Sequence, residues 1–241
     1  MRASTVSKVG VAALDQSRFG ESLEQFSVAH IAVLALMAIA IAVAVRAPRY
    51  VPAKLLAVAI GGAFVVEYAS NALDGTWDWG FNLPLHLSDV VAMFTPVALW
   101  TRKPLLVEIL YFWALTASLQ AVLTPDLNQT FPSVFYFTYF VTHCGAVVAA
   151  CLLVFGHRIQ LRPGAIRRAF VATLIMAAIA GAANMITGGN YMYLRAKPAQ
   201  ASLLDQMGPW PLYIVTAALL ALVLFALLAL LARSVGDDLA P

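Results

Sequence analysis

Charge is what this sequence has least of. Of its 241 residues, only 11% are Asp, Glu, Lys or Arg, less than half of the roughly 25% carried by a soluble domain. A soluble protein with one large core is thereby excluded, because the polar surface needed to cover such a core is missing. Cysteine is scarce too. The two present, Cys144 and Cys151, lie seven apart, which on a helix is about 10 Å, beyond the reach of a disulfide. They read as packing residues and carry no information about redox compartment. No apolar run precedes Phe26: Arg2, Lys8, Asp15, Arg18, Glu21 and Glu24 keep residues 1–25 polar, which argues against a cleaved signal peptide. Internal repeats, low-complexity runs, nucleic-acid motifs, and any pattern asking for a metal or cofactor are likewise missing.

What is present is hydrophobic residue in blocks. The chain is 62% hydrophobic with a mean hydropathy of +0.83. The excess falls in seven runs, 26–45, 51–73, 83–100, 105–123, 134–155, 165–186 and 211–231. Each is close to the ~20 residues that a helix needs to cross a hydrocarbon core. A segment facing lipid must satisfy its own backbone hydrogen bonds, which selects helices, and the continuous apolarity is unlike the alternating strands of a barrel. The expected fold class is therefore all-α, a polytopic bundle of seven transmembrane helices at 26–232. A polar N-terminal tail (1–25) and a short C-terminal tail (233–241) flank it. Pro52 and Pro104 fit first turns of helices, Pro96 should kink the third, and Gly188-Gly189 stops the sixth.

The loops orient the bundle. Arg46, Arg49, Lys54, Arg102, Lys103, Arg158, Arg162, Arg167 and Arg168 cluster on one side, against Arg195 and Lys197 on the other. The positive-inside rule puts the basic loops in the cytoplasm, with the N-terminus outside and the C-terminus inside, in a multi-pass protein of the cell membrane. This distribution also explains the net charge of +3 without nucleic acid.

Ionisable and amide side chains within such segments are costly and face the bundle interior. They are His30, Glu67, Asn71, His86, Ser88, Asp89, Gln120, Asp126, His143, Asn184 and Asn190, followed by Tyr191 in the long loop at 187–207. With the orientation above all but His143, which lies near the middle of the fifth helix, fall in the outer half, around a polar cavity that opens outward beneath an ordered Gly-Gly-Asn-Tyr cap. Glu67 and Asn71 share a helix face, as do His86 and Asp89, and a carboxylate beside an imidazole suits proton transfer. The plainer alternative is that these groups only hydrogen-bond neighbouring helices. Glu108 stands apart, near Arg102 and Lys103, and reads as half of a local ion pair.

Several of these residues lie in recognisable stretches: Asn-Leu-Pro-Leu-His-Leu-Ser-Asp (82–89), Gln-Ala-Val-Leu-Thr-Pro-Asp-Leu (120–127), Phe-Pro to His143, Gly-Gly-Asn-Tyr-Met (188–192) and Gly-Pro-Trp-Pro (208–211). In them the chain resembles the bacterial YwaF-type integral membrane proteins, from His30 to Trp210. That group looks related to animal transmembrane protein 164, described as a phospholipid acyltransferase, and more distantly to the androgen-induced-gene-type lipid hydrolases. The resemblance implies a catalytic pair of a nucleophile on one helix and a histidine on another. Carried over, the histidine is His143, and the nucleophile falls in 84–89, where Ser88 is the one hydroxyl or thiol. The relatives carry cysteine there, so serine is a departure, and its weaker nucleophilicity demands a well-placed base.

Three functions compete. The first is acyl transfer or hydrolysis on membrane lipids, with Ser88 attacking, His143 or His86 taking the proton, Asp89 orienting the histidine, and Asn184 or Asn190 stabilising the oxyanion. The second is a transporter or binding protein for a small polar ligand, bound by His30, Glu67, Asn71, Gln120, Asp126, Asn184, Asn190 and Tyr191. An odd helix count without a repeat disfavours common transporter architectures, and the last block has no lysine for a Schiff base. The third is a structural or assembly factor.

Overall fold

A computed structural model describes residues 23–127, 129–198 and 201–237. Most of the polar tail at 1–25, and the end of the tail at 233–241, fall outside these residues. Within them the regular structure is helical. The main helices are α1 (Val28–Arg46), α2 (Ala53–Leu73), α3 (Leu87–Thr101), α4 (Pro104–Leu123), α5 (Val134–Gly156), α6 (Ala165–Thr187) and α7 (Leu212–Asp237). All but α3 are long and apolar enough to cross a membrane. At 15 residues, α3 is about 22 Å long, which is shorter than a hydrocarbon core.

The late start of α3 departs from the expected boundary at residue 83 and has a local cause. Pro84 disfavours helical backbone in the residue before it. The freed groups find other partners: Leu83 N–H donates to the Tyr191 hydroxyl at 3.0 Å, and Leu85 N–H to the Leu83 carbonyl at 2.8 Å. His86 then forms the N-cap, its backbone N–H donating to Asp89 Oδ2 at 3.1 Å.

The bundle is organised around α5. Within its apolar window 72% of residues are buried, against 6% in α7, so α5 is the central post and α7 is peripheral. Small residues let its neighbours approach. A Cβ on Gly145 would lie 2.7 Å from Ile60 of α2, and one on Gly61 would touch the Pro96 ring of α3 at 3.4 Å. Gly61 thus packs closely, as the sequence suggested, and α3 runs through Pro96 as one helix. Single π-turns interrupt α4 at Ala114–Ser118 and α5 at Leu152–Gly156.

The outer surfaces of the helices are apolar. Leu36, Ile39, Leu55, Val58, Leu219, Val223 and Leu227 are all more than half exposed, far beyond the scattered apolar residues of a soluble surface. A hydrocarbon solvent accounts for them, as in a multi-pass membrane protein.

Expected features at the basic end of the bundle are partly corrected. Cys144 and Cys151 are free thiols. Glu108 does form an ion pair, but with Arg162 and Arg168 at 2.8 Å each instead of Arg102 and Lys103. The loop between α5 and α6 delivers Arg162 and the first turn of α6 delivers Arg168. Arg102 and Lys103 make no ion pair with Glu108 among the described residues.

Candidate functional site

The other end of the bundle is where α2, α4 and α6 finish and α3, α5 and α7 begin, and its loops are pinned together. The Tyr191 hydroxyl donates to the Trp79 carbonyl at 2.7 Å, and the Tyr193 hydroxyl to Asp126 at 3.0 Å. Tyr213 of α7 donates to the Tyr193 carbonyl. Gly189 presses so closely on Gly80 that a Cβ there would sit 2.3 Å from the Gly80 carbonyl oxygen. Only glycine fits that approach.

Asn184 builds this cap. Its side-chain carbonyl accepts Tyr191 N–H at 2.6 Å and its amide donates to the Tyr191 carbonyl at 3.0 Å. The fully buried Asn184 therefore replaces a strand partner for one residue. Asn190 does similar local work, accepting from Arg195 and Ala196 N–H and donating to the Ala196 carbonyl. Burial pushes the Tyr191 and Tyr193 hydroxyls above their ordinary ionisation range, with Asp126 contributing at Tyr193. Both therefore serve as protonated donors.

Beneath the cap sit the histidines. His86 Nδ1 accepts Met192 N–H at 3.3 Å, and its ring lies 5.5 and 5.2 Å from those of Tyr191 and Tyr193. An N–H can only donate, so His86 carries its own proton on Nε2. His143 is the reverse. Its Nδ1 lies 2.8 Å from the Tyr139 carbonyl, which can only accept, so Nδ1 holds the proton and Nε2 keeps a lone pair. The ring stacks on Tyr139 at 4.2 Å, and Tyr139 is held by its hydroxyl on the Ala121 carbonyl at 2.8 Å.

The two imidazoles have opposite tautomers, one offering a donor and the other an acceptor at Nε2. Among the described residues neither Nε2 has a hydrogen-bond partner. Neither is among the sealed, unpartnered polar atoms, which are those of Trp77, Ser118, His157 and Ser202.

Asp89 sits in the first turn of α3, where its Oδ2 accepts His86 N–H. Glu67 is near the end of α2, and the Thr138 hydroxyl of α5 donates to the Phe135 carbonyl at 3.2 Å. Ser88 occupies the same helical stripe as Val91 and Thr95, both fully buried. It therefore faces inward, and its hydroxyl makes no hydrogen bond to either histidine among the described residues.

Other candidates are spent on structure or lie apart. His30 is fully buried, with Nε2 on the Val122 carbonyl at 2.7 Å and Nδ1 accepting Phe26 N–H at 2.9 Å, so both ring nitrogens are committed to backbone. Asn71 donates to the Glu67 backbone carbonyl at 3.0 Å and not to its carboxylate. Gln120 bonds Thr124 within its own turn, and Asp126 is exposed under Tyr193. Sequence reasoning did not single out Tyr68, Thr138, Tyr139 or Tyr193. One available signal was the four-residue spacing from Tyr139 to His143, which stacks two rings on one helix face.

The pattern of the TMEM164 family matches residues 22–229. The chain belongs to the TMEM164 family. It is also similar to an uncharacterized protein of Treponema pallidum (strain Nichols), 32% identical over 190 residues that cover 76% of each chain. No solved structure matches. The family match covers the first six helices and reaches into α7, and includes His86, Ser88, Asp89 and His143.

Proposed function

We propose that this TMEM164-family protein is a membrane enzyme that transfers or hydrolyses lipid acyl groups. In this reading it crosses the cell membrane seven times, N-terminus outside, with the histidine cluster in a polar cavity open to the outer side. The YwaF-type likeness of its motifs belongs to the same reading. The observation that supports it is the hydrogen bonding of Nδ1 in the two histidines, which leaves His143 Nε2 free to act as a base and His86 Nε2–H free to donate.

Ser88 Oγ attacks the ester carbonyl carbon while its proton passes to His143 Nε2. The Tyr139 carbonyl, bonded to Nδ1–H, stabilises the imidazolium that results. His86 Nε2–H donates to the developing oxyanion, the role first assigned to Asn184 or Asn190. Asp89 supports His86 through its backbone N–H instead of its ring. Collapse expels the alcohol, which takes the proton from His143 and leaves an acyl ester on Ser88. Water or a second alcohol then reverses the sequence.

The test is turnover of a fluorescent phospholipid in mixed micelles by the purified protein and by S88A and H143A. Loss of a general base costs on the order of 10²–10⁴-fold. Turnover equal in all three proteins would overturn the reading. One observation favours a second function, a binding or transport protein for a small polar ligand: the Ser88 hydroxyl is not hydrogen-bonded to either histidine. In that case the wild type shows no turnover, and H143A alters ligand uptake into proteoliposomes.

A further inference from the structure

At the basic end, away from the histidines, a groove of about 400 Å³ runs between α4 and α6. Leu105, Ile109, Val171, Ala172 and Ile175 line it together with Arg167 and Arg168, the two arginines making its basic mouth. Leu105, Val171 and Ile175 are each about half exposed, so the groove opens onto the lipid-facing surface. Arg167 lies eight residues before Ile175 on α6, so the apolar floor extends about 12 Å along the helix.

The charge at the mouth is unbalanced. Arg162, Arg167 and Arg168 meet one carboxylate, that of Glu108. That carboxylate is already shared by Arg162 and Arg168, and no carboxylate lies within ion-pair distance of Arg167 among the described residues. Two positive charges are left over beside an apolar slot. A single acyl chain bearing an anionic head satisfies both halves.

We infer that this groove binds one anionic phospholipid, with an acyl chain between α4 and α6 and its phosphate on Arg167. A zwitterionic lipid would bring its own cation to the same place and lose the advantage. Basic pockets between helices on the cytoplasmic side bind anionic head groups by this physics. The site does not depend on the histidine chemistry and holds whether or not the protein is an enzyme.

Native mass spectrometry of the delipidated full-length protein tests it, with phosphatidylglycerol, phosphatidylcholine and inorganic phosphate titrated separately. The expected result is phosphatidylglycerol binding several-fold tighter than phosphatidylcholine, with phosphate alone not retained. In R167Q that preference should fall by about fivefold, the value of one arginine near a lipid surface, while R167K keeps most of it. A172W should fill the slot and weaken phosphatidylglycerol binding with the arginine still in place. Equal affinity for the two lipids in the wild type, or an unchanged preference in R167Q, would overturn the assignment. Retention of phosphate alone would overturn the lipid occupant.

Discussion

Replacing Glu108 by alanine should destabilise the protein more than any other single change at its basic end. The carboxylate is 1% exposed and accepts from Arg162 N–H, Nε and Nη2 and from Arg168 Nε and Nη2, at 2.8–3.1 Å. Removing one member of a buried ion pair costs about 3–5 kcal/mol, because the remaining charge is stranded. Here the stranded charges are only partly buried, since the Arg162 and Arg168 side chains are 48% and 29% exposed. Water can recover part of their solvation, which discounts the figure to about 2–4 kcal/mol. Glu108→Gln keeps the shape and some neutral hydrogen bonds and should cost about 1–3 kcal/mol. Arg162→Ala should cost less than either, because Arg168 alone still pairs with both carboxylate oxygens. For a chain of this size, 1 kcal/mol moves Tm by roughly 2–4 °C, so Glu108→Ala should melt roughly 5–15 °C lower in detergent. Added salt should narrow the gap little, as the carboxylate is shielded from ions. A Glu108→Ala protein that melts within a degree of wild type would refute this reasoning, as would an Arg162→Ala loss equal to it.

Asn184→Ala strands the Tyr191 N–H and carbonyl in a buried site. It should cost about 1–3 kcal/mol and raise amide exchange selectively at 188–195. Gly189→Ala forces the cap away from Gly80, at a cost of about 1–3 kcal/mol, and should be read as faster proteolysis of the 187–207 loop at unchanged helix content. His157, just past α5, has its imidazole pulled below the ordinary range by burial and then by Arg102, with Nδ1 buried and unpartnered. The fold therefore prefers the neutral ring. Its contribution is full above pH ~6.5, the free histidine value, and is lost as pH falls through the lower folded-state value. His157→Asn should flatten the acid side of a Tm-against-pH curve.

The lipid-spanning segments were legible because apolarity continuous over twenty residues admits few other solutions. Their ends were legible where Pro104 or Gly188 acts locally. The start of α3 was misjudged because Leu83, Leu85 and Leu87 extend the apolar run past the point where Pro84 stops the helix. Polarity in the sequence also located the cluster, including His86, Asp89, Glu67 and His143. It could not separate His30 from His143, since both are buried histidines and their difference lies in which backbone groups meet the ring nitrogens. The partners of Glu108 were missed for a related reason. Ion pairing follows proximity in space, and the α5–α6 loop with the first turn of α6 brings Arg162 and Arg168 to Glu108 ahead of the residues just before Pro104.

The central claim is that Ser88 is a nucleophile served by a basic His143 and a donating His86. Intact-mass and peptide mass spectrometry after brief incubation with phospholipid tests it most directly. The expected result is an acyl adduct on the peptide carrying Ser88, strongly reduced in H143A, absent in S88A and slower to form in H86A. A peptide that stays unmodified while the protein turns over lipid, or an adduct equally abundant in H143A, would contradict it.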